Sequence, residues 1–159
     1  MAMPPHRLPS ARQFFPAVND NDAMKKTIRI HTLIERALIR HIRKALPHPE
    51  AIDLKPLPFL AKVDLAIALG QLRADVRGSL SAVNTVRNKY AHEPATRLTA
   101  KMTTDLWNTL PVRLQDELHA IFRRRFSKQP KSMLTQVLGI LFLDARDYAI
   151  LVRPSLEKK

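Results

Sequence analysis

Cysteine is absent from the 159 residues, glycine occurs only three times, and aromatic side chains make up 6% of the chain. The first absence excludes disulfides, thiolate zinc sites and cysteine nucleophiles, and it fits a reducing compartment, so a cytoplasmic location is expected. The scarcity of glycine excludes a Gly-rich phosphate loop. No stretch reaches the roughly 18 uninterrupted apolar residues of a membrane span. The most apolar one, Met133 to Leu143, is interrupted by Thr135, Gln136 and Gly139 and reads as a buried helix. The histidines include no His-Glu-x-x-His pair and no second ligand at helical spacing from His92, so neither a metal nor a cofactor is expected. The serines lack the elbow motif of a hydrolase triad.

What is present is helical. Apolar residues recur at spacings of three and four, which places the chain in the all-α class, and its length suits one domain with a real core. Pro4, Pro5, Pro9 and Pro16 mark residues 1–19 as a flexible basic arm without the apolar core of a secretory signal. Residues 20–152 are expected to form the domain, and 153–159 a basic tail. A first long helix should start at the Asp20-Asn21-Asp22 cap and stop at Leu46, before Pro47. A second, about Phe59 to Leu69, should turn Phe59, Val63, Ala66 and Ile67 inward and end at Gly70 in the left-handed conformation. A third runs from about Ser79 to His92, because Pro94 disfavours helix at Glu93. Thr103 to Leu110, Arg113 to Phe126 and Ser132 to Leu151 supply the rest. The last is apolar over most of its circumference, so it is either central to the core or part of a dimer interface. Trp107 reads as core.

The net charge of +13 is unevenly spread: residues 1–46 carry +6, 47–96 only +1, and 97–159 another +6. Wound as a helix, Lys25, Arg29, Arg36, Arg40 and Arg43 fall within about 40° of one direction and form a stripe. Arg123, Arg124 and Arg125 make a second cluster, followed by Lys128 and Lys131. Such surfaces attract polyanions through phosphate contacts and counterion release, so nucleic acid is the expected partner class, RNA first and DNA second. A merely solvated charged face is the plain alternative. An anionic membrane surface fits less well, because the side opposite the stripe is needed for the core.

On the third helix, Leu80, Val83, Val86 and Tyr90 share a core-facing arc. Asn84, Asn88 and His92 form an i, i+4, i+8 row, with Arg87 at its border. His92 stands in the last turn, where the negative end of the helix dipole attracts a cation. A protonated histidine can act as a general acid, and an arginine beside it can hold a phosphate. Those are the two chief needs of metal-free RNA cleavage, in which the 2′-hydroxyl is the nucleophile. The bland reading of the same residues is a histidine capping carbonyls, with Arg and Asn bonding to neighbouring helices.

The stretch Arg87-Asn88-Lys89-Tyr90-Ala91-His92 resembles the Arg-Asn-x-x-x-His signature of HEPN domains, helical proteins that include RNA-cleaving toxins and defence proteins. Upstream, the segment from Phe59 to Gly70 is similar to mannitol operon repressor-like proteins, usually grouped with HEPN. The match covers roughly residues 55–94. It implies a HEPN-like helical bundle with additional C-terminal helices and a homodimer whose two signatures share a cleft. Arg87 and His92 would be the catalytic pair, and Asn88 would shape the site. Asn84, Tyr90, Glu35 and Lys62 are candidate supports; Glu35 would seek a partner such as Arg87, and the Lys62 head would reach water along its apolar stem. The chain departs from the pattern at Glu93-Pro94, where toxins paired with nucleotidyltransferase antitoxins carry His-x-Tyr. The resemblance thus implies an RNA-binding, metal-independent endoribonuclease, with an antitoxin or regulatory protein as a further partner. The alternative it leaves open is a non-catalytic transcriptional regulator or interaction module, although no helix-turn-helix is legible.

Overall fold

The computed structural model describes residues 16–123 and 126–156, with side chains through residue 147. The fold is all-α: α1 (Ala23–Ala45), α2 (Phe59–Ala68), α3 (Arg77–His92), α4 (Ala100–Thr109), α5 (Val112–Phe122) and α6 (Pro130–Leu156), with 3-10 turns at Pro49–Ala51 and Ala74–Val76. Among the described residues there is no strand, and no helix is long and apolar enough to cross a membrane.

Local chemistry explains most of the boundaries. The Asp22 side chain accepts the Lys25 backbone N–H and starts α1. Thr99 does the same for Met102 at the start of α4. Helix α2 closes through bonds from Gly70 N–H to Ile67 and from Gln71 N–H to Ala66, with Gly70 at φ +67°, where a side chain would be strained. Helix α6 begins two residues before the expected start, at Pro130, because proline at a first helical position gives up no needed hydrogen bond. It continues past the expected end at Leu151 to Leu156, into the segment read as a tail. The expected helix over 113–126 is shorter. It stops at Phe122, and Arg123 takes φ +42°, which ends the helical path.

The core lies along α6. Leu134, Val137, Leu138, Leu141, Phe142 and Ala145 are all buried, and α6 packs against α1 most extensively and then against α4. The apolar circumference of α6 is thus covered within the chain as far as its side chains are described. It offers no unpartnered face there for a second copy. Helix α1 also contacts α2 and α3. Residues 16–18 are helical, and Ala17 and Val18 are buried against the core, so the packed unit extends into the segment read as an arm. Residues 1–15 of that arm, Arg124, Arg125 and residues 157–159 lie outside the described residues. Trp107 is half-buried and packs against the core.

Candidate functional site

The signature helix α3 is held between α1, α2 and α4. Its core arc is as the spacing predicts: Leu80 and Val83 are fully buried, and Tyr90 is 1% exposed. Tyr90 therefore belongs to the packing rather than to the polar flank. Its hydroxyl is buried without a partner among the described residues, and burial, reinforced by Asp22, raises its pKa.

The polar flank turns toward α1. Asn84 Oδ1 lies 3.0 Å from His31 Nε2, a bond in which the imidazole N–H donates. The His31 ring is buried and rests on Phe59 of α2, with centroids 4.1 Å apart. Burial lowers the His31 pKa, against the smaller opposing effects of Asn84 and Glu35; Arg87 and Lys62 add to the lowering. Side chains from three helices thus surround one neutral imidazole. His31 went unnoticed in the sequence because a lone histidine on an apolar helix face reads as core.

Glu35 and Lys62 find each other across α1 and α2. Lys62 Nζ donates to Glu35 Oε1 at 2.5 Å and to the Lys55 carbonyl at 3.2 Å. The Lys62 side chain is 2% exposed, so its head is paired inside the fold and does not reach water. The partner of Glu35 is Lys62, not Arg87. A lysine can be buried here because both a carboxylate and a carbonyl compensate its charge.

Arg87 and Asn88 are half-buried, and Arg87 Nη1 donates to Asn88 Oδ1 at 3.0 Å. This bond uses one of five guanidinium N–H groups. His92 is the last residue of α3, exposed, with no side-chain hydrogen bond among the described residues. Five residues of helix separate Arg87 from His92 by about 7.5 Å along the axis and roughly 140° around it, with Asn88 between them in rotation. The pair can share a ligand that spans this flank, but the two side chains are not aimed at one another.

The basic stripe is real as a surface: Lys25, Arg29, Arg36, Arg40 and Arg43 are all exposed. Among the described residues only Arg29 of these five is paired, to Asp20 Oδ2 at 3.0 Å. The stripe is centred roughly 140° around α1 from His31, so it does not line the signature flank. Arg123 is exposed at the end of α5. No three His, Asp or Glu side chains come together as a metal-ligand group among the described residues.

Comparison with protein-family models, with curated proteins and with solved structures found no match.

Proposed function

We propose that this chain is an RNA-binding protein of HEPN type that cleaves RNA without a metal ion, through Arg87 and His92. One observation carries the reading: a half-buried arginine with N–H groups unused among the described residues stands five residues before an exposed histidine that has no side-chain hydrogen bond among them. Arg87 would grip the scissile phosphate, with Asn88 holding its guanidinium in place. The 2′-hydroxyl would attack phosphorus, its proton passing to solvent. The P–O5′ bond would break as His92 protonates the departing oxygen, leaving a cyclic phosphate and a free 5′-hydroxyl. The exposed stripe on α1 would hold the rest of the strand by its phosphates.

A second reading, a non-catalytic regulator or interaction module, draws on a specific observation. Asn84 is bonded to His31 and Arg87 to Asn88, contacts that serve packing whether or not RNA is present. Incubation of a mixed RNA pool with the protein in EDTA separates the two. Cleavage by the wild type that is lost in His92→Ala supports the nuclease. An inert wild type moves the assignment to the regulator, and cleavage that disappears only on adding EDTA rejects the metal-free route.

A further inference from the structure

Away from the signature flank, α4, α5, the segment between α5 and α6, and the start of α6 line a cavity of about 410 Å3 whose lining includes Trp107, His119 and Phe126. The three rings meet one another: Trp107 lies 5.3 Å from His119 and 5.0 Å from Phe126, and His119 stands edge-on to Phe126 at 4.5 Å. Rings gathered only to fill a core would be buried. Here His119 is exposed, and Trp107 and Phe126 are half-buried.

The polar part of the lining is equally specific. Gln115 gives its amide nitrogen to the Trp107 and Leu110 carbonyls at 3.2 and 3.1 Å, which fixes the side chain and leaves its own carbonyl oxygen without a donor among the described residues. Thr104 and Asn108 line the cavity, both exposed and with no side-chain hydrogen bond among the described residues. Lys128, also exposed, brings a positive charge to the wall, within residues 97–159, which carry +6.

Flat aromatic faces, a fixed amide oxygen, free hydroxyl and amide groups and a cation together match an unpaired nucleobase and its phosphate. A purely apolar ligand would leave the polar groups unused, and an acidic peptide would leave the rings unused. A duplex cannot enter, because its bases are stacked and paired. We propose that this cavity receives one unpaired base of single-stranded RNA, packed against the mutually tilted Trp107, His119 and Phe126 rings with its face on one of them, and with Lys128 on its phosphate. The inference rests on the proposed RNA binding but not on cleavage.

Trp107 is the only tryptophan in the chain, so its emission reports on this cavity alone. The experiment titrates the full-length protein with a short single-stranded RNA of mixed sequence, a duplex of equal length, and an abasic ribose-phosphate strand of equal length. Strand anisotropy and indole emission are read together. Single-stranded RNA should change emission in step with anisotropy, whereas the duplex and the abasic strand should bind with emission unchanged. His119→Ala should weaken single-strand binding about five- to tenfold and leave abasic-strand binding as it was. Anisotropy rising for single-stranded RNA without an emission change, or equal affinity of His119→Ala and wild type for that strand, would overturn the base site while sparing the basic surface. No anisotropy change for any strand at low salt would overturn both the base site and the RNA-binding reading.

Discussion

At the residue scale, the least expected feature is how much charge and polarity the α1–α2–α3 junction holds. The Glu35–Lys62 pair is asymmetric, with Lys62 2% and Glu35 29% exposed. Removing the carboxylate strands a buried ammonium, whereas removing the ammonium leaves a carboxylate that water can reach. Glu35→Ala should therefore cost about 2–3 kcal/mol, below the loss for fully buried pairs because Glu35 is partly hydrated. Lys62→Met should cost less; chemical denaturation of both variants checks the order, and a larger loss for Lys62→Met would mean that the lysine is held by more than Glu35. The two buried histidines make a second prediction. Burial lowers the pKa of His31, and also that of His41, whose Nε2 lies 2.9 Å from the Arg146 carbonyl and whose neighbours include Arg40, Lys44 and Asp147. The unfolded chain takes up protons near the ordinary imidazole value while the native state resists, so stability is fully present above it and falls as pH drops through it. Melting temperature should decline between about pH 7.5 and pH 5.5, and His41→Gln should flatten the decline. An unchanged slope would mean that His41 is protonated alike in both states. The arrangement of this junction was only partly legible in the sequence. Arg87, Asn84, Asn88 and His92 follow from helical spacing within one element. The bonds from His31 to Asn84 and from Lys62 to Glu35 join residues 53 and 27 positions apart, which no local pattern encodes.

At the scale of elements, the helices were legible where the sequence punctuates them. Asp22, Pro47, Gly70 and Pro94 each act through a local constraint on hydrogen bonding or φ, and α1, α2 and α3 end close to where those residues place them. The end of α5 was not legible, because the apolar spacing continues through Phe122 to Phe126 and nothing in the sequence marks Arg123 as the residue that leaves the helix. How the elements are clamped was also hidden. Arg113 near the start of α5 forks to Asp75 at 2.8 and 2.9 Å and to Asp144 of α6 at 2.7 and 3.1 Å. It thereby joins three segments distant in sequence. The Arg113 hydrogen bond, set against some desolvation, holds the Asp75 carboxyl below its ordinary pKa. Arg113→Ala should lower the melting temperature by roughly 4–8 °C, taking about 2 kcal/mol for the lost charge-assisted bonds. Arg113→Lys, a point charge that cannot fork, should recover only part of this. Full recovery by lysine in a thermal melt would mean that charge alone matters there.

At the scale of the whole molecule, the basic stripe and the candidate catalytic pair occupy different faces. The stripe on α1 is exposed as its wheel predicts, yet it lies around the helix from the signature flank, so a strand bound as proposed would have to wrap α1 or be completed by a second chain. Converting Arg36, Arg40 and Arg43 together to Glu should weaken RNA binding and flatten its dependence on salt, as read by gel shift across a salt series. An unaltered titration would make the stripe a solvated face. The described part of α6 is covered within the chain, so a homodimer of the kind the resemblance implies would have to use the α3 flank. The central claim is that Arg87 and His92 act as one catalytic unit. Its most direct test is the rate of RNA cleavage in EDTA for wild type, Arg87→Ala, His92→Ala and the double variant, each with a matched thermal melt. Near-complete loss in either single variant, a double variant scarcely worse than the worse single one, and unchanged melts for His92→Ala are the predicted result. Wild-type rates retained in His92→Ala, or losses that simply track lowered melting temperatures, would contradict it.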